Sequence, residues 1–199
     1  MIFDDQTSND VTDRNTLLTR RSFLIGAGAL SLTSLVPAEA IAHSRAVRAP
    51  AVVRFSTQAR PGSIVVRTGE KRLYYVLGRG RALAYVIGVG KAGRSFRGNG
   101  VIARKAKWPS WTPTKNMIRR EPGKYAKYAR GVPGGPNNPL GARALYLYKG
   151  GRDTMYRIHG TNDPSSVGRA VSNGCIRLLN EHVKDLYTRV GVGARVYVQ

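Results

Sequence analysis

Beyond Gly62 the apolar residues come in short bursts separated by glycine and basic residues, a spacing that favours strands over helices. "SIVVR" (63–67), "RLYYVL" (72–77) and "ALAYVIGVG" (82–90) are rich in Val, Ile and Tyr and are joined by "TGEK" and "GRGR". They read as consecutive antiparallel strands. "ARALYLY" (142–148) and "TMYRIH" (154–159) flank "KGGRD", where Gly150 and Gly151 supply a tight turn; this second hairpin delivers His159 to a strand end. "RVYVQ" (195–199) makes the last strand. Helical signals are fewer. In "NEHVKDLYTRVG" (180–191), Val183, Leu186, Tyr187 and Val190 fall at i, i+3, i+4 and i+7, Asn180 is a suitable N-cap, and Gly191 closes the end. A shorter helix is expected over "PTKNMIRRE" (113–121). Between it and the second hairpin runs "PGKYAKYARGVPGGPNNPLGA" (122–142), dense in Pro, Gly and Asn. An irregular stretch of that length inside a compact domain reads as a lid or binding loop. Trp108, Trp111, Tyr125 and Tyr128 form either the aromatic wall of that lid or the packing of the loop onto its own sheet.

The N-terminus reads as an address. Arg20 and Arg21 precede a weakly apolar run, Phe23 to Val36, and the small-residue stretch Ala38 to Ala42, the pattern of an export signal. The run is shorter than the roughly 20 apolar residues that cross a bilayer, so a permanent anchor is not expected. Ser22, Phe23 and Leu24 after the paired arginines give the label a twin-arginine character, which implies export of a folded chain. Cleavage after Ala40 or Ala42 fits. The expected organisation is an export signal over 1–42, a flexible tether over 43–61 ("HSRAVRAPAVVRFSTQARP") and one domain over 62–199.

Residues 43–199 carry 30 basic and six acidic side chains, a net charge of +24. Charge of that size speaks of partners and solubility, not fold. For an exported chain it points to the anionic polymers and headgroups of the cell envelope. Nucleic acid, the other polyanion that such a charge suits, is not where the leader sends this chain.

Chemistry concentrates in "RIHGTNDPSSVGRAVSNGCIRL" (157–178), which holds the only cysteine of the chain and one of three histidines. With one cysteine no internal disulfide is possible, so Cys175 outside the cytoplasm is a free thiol or joins molecules. A nucleophilic cysteine needs a base, backbone donors for an oxyanion and an exposed position. The Asn173-Gly174 pair tolerates positive φ, so Cys175 is expected on a sharp bend. A loop of about fifteen residues brings it back readily beside His159, where an imidazole within hydrogen-bond reach would draw the thiol toward thiolate. Spacing alone leaves a buried structural cysteine equally open. A zinc site would have to draw on Cys175, His159, His182 and His43; His182 belongs to the helix and His43 to the tether, so no metal is expected.

"HGTNDPSSVGRAVSNGCIRL" resembles the signature of the L,D-transpeptidase catalytic domain, the YkuD family: His-Gly, then Ser-x-Gly-Cys-x-Arg. "GSIVVRTGEKRLYYVLGRGRALAYVIGVGK", "NPLGARALYLY" and "VGVGARVYV" are similar to the family's strands, so the likeness covers roughly residues 62–199. The resemblance implies a mainly β fold, a sandwich-like arrangement of mixed sheets with one or two short helices, a long lid loop and no metal or organic cofactor. It implies Cys175 as nucleophile and His159 as general base. The Gly174 and Cys175 N–H groups become oxyanion donors, and Gly160 orients the imidazole through its carbonyl. Ser172, Asn173 and Arg177 line the substrate cleft, Arg177 as a guanidinium clamp for a stem-peptide carboxylate. Many members carry His where this chain has Asn173, which cannot serve as a second base. The implied activity is peptidoglycan cross-linking: a tetrapeptide stem as donor, a diaminopimelate amine as acceptor, a 3-3 cross-link as product, in the periplasm or cell wall. An L,D-carboxypeptidase and an enzyme anchoring proteins to the wall would use the same site. The rival from another class is a non-catalytic cationic module that binds polyanions.

Overall fold

The structure is a computed structural model that describes residues 49–199. The expected export signal and the first residues of the expected tether lie outside the described residues. Among those described, no helix is long and apolar enough to cross a membrane.

The apolar bursts become strands as their pattern dictates. β2 (Ile64–Arg67), β3 (Arg72–Gly78) and β4 (Arg81–Val86) form an antiparallel meander. Ile64, Val66, Leu73 and Tyr85 point to one face and are fully buried there. β7 (Arg143–Lys149) and β8 (Arg152–His159) are the second hairpin; Gly150 and Gly151 both have positive φ at its turn, the two-residue geometry that matches strand twist. β11 (Arg195–Val198) lies between β2, parallel to it, and β6 (Gly98–Lys107), antiparallel. With β1 (Ala51–Arg54) and β10 (Ile176–Arg177), these strands make a nine-stranded mixed sheet of order β1-β4-β3-β2-β11-β6-β7-β8-β10. β5 (Val89–Gly90) and β9 (Ala170–Ser172) form a small parallel pair. Gly88 and Arg177 exchange N–H···O bonds of 2.8 and 2.9 Å, joining the chain after β4 to the far edge of the large sheet. The sheet therefore turns back on itself around a single inner core, the sandwich-like class that the sequence implies.

Two strands differ from the sequence expectation. Ala51–Arg54, expected as tether, pairs along β4, and Phe55 is buried against Val65, Val76 and Ala82 on the sheet's outer face. That outer cluster needs the extra strand, which is why a segment without obvious period becomes ordered. β6 has no expected counterpart: of its ten residues only Ile102 is buried, so it shows no apolar run.

Three α-helices are found among the described residues. α1 (Lys115–Arg120) is capped by Thr114, whose Oγ1 accepts the Met117 N–H, and α2 (Pro122–Tyr125) opens the lid with a single turn. α3 (Asn180–Arg189) buries Val183 and Leu186 in the core, with Val190 just beyond it, as the periodicity predicts. Its cap differs. The N-cap is Leu179, without a side-chain bond, because the Asn180 amide is engaged elsewhere, as described below. At the other end the chain leaves the helix through an extended Val190 rather than at Gly191. There Lys105 Nζ donates to the Tyr187 carbonyl (2.7 Å) and to that of Val190, placing a cation where the helix carbonyls lack partners.

Candidate active site

Strand alternation builds the site. β10 runs parallel to β8 with Ile176 opposite Ile158 and Arg177 opposite His159. Both isoleucines are buried in the core. Alternation therefore turns His159, Arg177 and the preceding Cys175 to the other face. There all three line one cleft of about 330 Å³, together with Ser172, Asn173, Trp111, Tyr125 and Tyr128. Topology thus joins two segments fifteen residues apart that no local pattern pairs.

His159 is held from behind. Its carbonyl accepts the Leu178 N–H (2.8 Å), and the Gly160 N–H donates to the Arg143 carbonyl (3.0 Å). Nδ1 lies 2.6 Å from the Gly160 carbonyl, so Nδ1 carries the proton and Nε2 is left as the basic atom. Gly160 has no room for a side chain: a Cβ there would run into Asn180 Oδ1. Asn180 is the functional residue that sequence reasoning read only as a cap. Its Oδ1 accepts from Ala142 N (2.9 Å) and Thr161 N (3.2 Å), and its Nδ2 donates to the Thr161 carbonyl (3.0 Å). It braces both loops behind the histidine. Imidazole burial, reinforced by the Arg177 charge, pushes the His159 pKa down to about 3.

Cys175 sits on the expected bend, and Gly174 before it has φ +130°. The bend is locked by Ser172, whose Oγ donates to the Cys175 carbonyl (2.7 Å) and accepts the Gly174 N–H (3.1 Å). The Gly174 N–H thus faces Ser172 in the resting site. Ser172, buried, locks the turn and also lines the cleft, as expected. The thiol donates to the Met155 carbonyl at 3.9 Å, and the expected hydrogen bond to imidazole is not formed. Burial raises the Cys175 pKa, although the Arg157 N–H and the Arg157 and Arg177 charges pull it down. Both partners are thus neutral at rest, a protonated thiol and a free imidazole, because burial disfavours either charged form.

Arg177 lies partly buried and lines the cleft, and its Nε is itself buried without a hydrogen-bond partner. Asn173 faces both the cleft and the lid: Oδ1 accepts from Arg94 Nη1 (2.6 Å), and Nδ2 donates to Tyr125 Oη (2.8 Å). Trp111 packs edge-on against Tyr125 and Tyr128 at 6.3 and 5.9 Å, so these three rings wall the cleft. Trp108, fourth of the expected aromatics, is exposed and does not line it. His182 is buried on α3, edge-on to Tyr85 at 6.2 Å, and is not among the residues lining the cleft. Among the described residues no three His, Cys, Asp or Glu side chains converge as a metal-ligand set.

Comparison with known proteins adds to this geometry. The family model for the L,D-transpeptidase catalytic domain, YkuD, matches residues 61–198. The probable L,D-transpeptidase ErfK/SrfK of Escherichia coli is 44% identical over 142 residues, which cover 68% of this chain and 43% of that protein. The chain thus spans less than half the length of that relative. A Brucella melitensis crystal structure that bears the name of a probable carnitine operon oxidoreductase is 46% identical; the match covers 73% of this chain and 90% of that one, with a TM-score of 0.53. An Enterococcus faecium L,D-transpeptidase structure shares the fold at 16% identity, with a TM-score of 0.50 over 71% of this chain and 50% of that one.

Proposed function

Since the chain belongs to the L,D-transpeptidase catalytic-domain family, we propose that it is a peptidoglycan L,D-transpeptidase that forms 3-3 cross-links through a cysteine acyl-enzyme. The observation that carries this reading is the cleft in which Cys175, His159 and Arg177 meet, with the imidazole proton fixed on Nδ1 by the Gly160 carbonyl. From the resting rotamer, rotation of the Cys175 side chain to another staggered well turns the thiol from Met155 toward Nε2. His159 takes the thiol proton as sulfur attacks the carbonyl at the L-centre of a tetrapeptide stem. The oxygen gains its negative charge against the Cys175 N–H. Collapse breaks the C–N bond. The imidazolium gives its proton to the departing D-Ala amine, and a thioester remains. A diaminopimelate amine of a second stem then forms a C–N bond at the same carbon. Its proton passes through His159 to sulfur, which leaves as the thiol.

Arg177, which lines the cleft in register with His159, is the clamp for a stem carboxylate. The net charge of +24 on residues 43–199 suits an anionic envelope. The paired Arg20 and Arg21 ahead of a weakly apolar run support export through a cleaved twin-arginine signal to the periplasm or wall. An L,D-carboxypeptidase and a protein-anchoring enzyme differ from this reading only in the acceptor.

The test is incubation with a carbapenem, an acylating mimic of the stem, followed by intact mass measurement of wild type, Cys175→Ala and His159→Ala. Wild type gains one adduct, Cys175→Ala none, and His159→Ala gains it slowly. An unmodified wild type favours the cationic binding module; a labelled Cys175→Ala protein moves the nucleophile elsewhere. Muropeptide profiles with and without the enzyme then identify the acceptor.

A further inference from the structure

Asn173 stands between the nucleophile loop and the lid and engages both with one amide. Its Oδ1 accepts from Arg94 Nη1 at 2.6 Å and its Nδ2 donates to Tyr125 Oη at 2.8 Å. Tyr125 is the last residue of α2, buried against Trp111, so the second bond reaches the body of the lid. Arg94 reinforces it: its Nη1 lies 3.7 Å from Glu121 Oε1, and the Glu121 carbonyl accepts the Tyr125 N–H. Arg94 is in turn fixed from the sheet side by Tyr156, whose hydroxyl donates to the Arg94 carbonyl at 3.3 Å. The chain from sheet to lid is therefore Tyr156, Arg94, Asn173, Tyr125.

This strap crosses the groove. On one side lies the 330 Å³ cleft with Cys175, His159 and Arg177. On the other lies a second groove of about 650 Å³ lined by Arg94, Arg120, Thr154 and Met155. Asn173 and Met117 line both, and the thiol donates to Met155, a residue of the second groove. The nucleophile lies under the strap.

We propose that Asn173 is a positioning residue whose amide straps the lid over the nucleophile and so sets how an acyl-enzyme divides between water and an amine. The partition claim rests on the acyl-transfer reading above, whereas the strap itself does not. Both outcomes break the thioester C–S bond and return the thiol. Water forms a C–O bond, sends one proton through His159 to sulfur and leaves a free carboxylic acid. An amine forms a C–N bond, sends its proton the same way and leaves an amide. Water needs only access, while the amine must be held in line with the carbonyl. A closed lid therefore favours transfer, and a loosened one favours hydrolysis. Asn173 offers both an acceptor and a donor, and the structure uses both.

The experiment compares wild type, Asn173→Ala, Tyr125→Phe and Asn173→Asp in the full chain. Tetrapeptide stem serves as donor and a diaminopimelate-bearing stem as acceptor, with both products read by mass spectrometry. Losing one net hydrogen bond shifts a lid equilibrium roughly two- to tenfold, so the hydrolysis-to-transfer ratio rises by that factor in Tyr125→Phe and by at least as much in Asn173→Ala, which loses both of its bonds. Asn173→Asp still accepts from Arg94 and from the tyrosine hydroxyl, and its ratio stays within about twofold of wild type. A variant that merely folds less well lowers both products together; an unchanged ratio in Asn173→Ala and Tyr125→Phe overturns the proposal. Hydrogen exchange over residues 122–132 judges the strap independently of any substrate. Faster exchange in Asn173→Ala supports it, and unchanged exchange sinks it. Should wild type yield neither product, the acyl-transfer reading falls and takes the partition claim with it, while exchange still decides the strap.

Discussion

Asn180→Ala removes the brace behind His159 without touching the cleft. Three hydrogen bonds go: those accepted from Ala142 N and Thr161 N and the one donated to the Thr161 carbonyl, at 2.9, 3.2 and 3.0 Å. At a net 0.5–1.5 kcal/mol each, the loss is about 2–4 kcal/mol, and the partial burial of the joint admits water that favours the lower half of that range. Asn180→Asp keeps the oxygen that serves both N–H groups and adds a negative charge at the first residue of α3, where the helix end favours it. It loses the donor to Thr161, so it should cost about half as much as alanine. Urea unfolding at pH 7 measures both variants, with the slope m unchanged so that the midpoint alone reports stability. Thiol acylation by a carbapenem, normalised to folded protein, should also fall in Asn180→Ala, because the loop carrying the Gly160 carbonyl loses its hold. An alanine variant within about 0.5 kcal/mol of wild type, smaller than one hydrogen bond, would refute the role of Asn180 as a joint. So would an aspartate variant no better than alanine.

Two further predictions concern protons. His159 has a pKa near 3 in the folded chain against about 6.5 unfolded, so the unfolded state binds the proton first and stability is lost as pH falls from about 6.5 toward 3, by up to about 1.4 kcal/mol per unit. Chemical denaturation of wild type and His159→Gln between pH 7 and 4 should show a shallower fall in the variant, the remaining slope including His182, shifted the same way by burial. Equal slopes would contradict the buried neutral imidazole. Burial raises the Cys175 pKa, so iodoacetamide labelling of the free enzyme should be slow at neutral pH and climb only above the ordinary thiol range, with His159→Ala nearly superimposable on wild type. A rate plateau below pH 7 would instead reveal a preformed thiolate–imidazolium pair.

Much of the fold was legible because β2, β3, β7 and β8 leave short apolar bursts bounded by glycine and basic residues, and α3 leaves a period of 3.6. β1 and β6 were not, since an edge strand and a strand with one buried residue leave no apolar trace. The chemistry-bearing residues were legible too: a lone thiol behind Asn-Gly and a histidine at a strand end are local features. Their partners were hidden. Asn180 carries the marks of a helix cap and serves as a tertiary brace. Arg94, one of many basic residues, reaches Asn173 79 positions away, and Ser172, next to the bend, turns out to close it.

The sequence by itself determined the alphabet of this protein: most of the segments that are strands, where the single thiol bends out, and how strongly basic residues 43–199 are. These follow from side-chain volume, backbone tolerance and charge, which are properties of neighbours along the chain. Only the tertiary structure decided that β10 lies parallel to β8 with Arg177 beside His159, that both titrating groups rest neutral, and that the Asn173 amide bonds both Arg94 and Tyr125. Register across a sheet, desolvation and hydrogen bonds over scores of residues depend on how distant segments meet, and that information is spread over the whole fold.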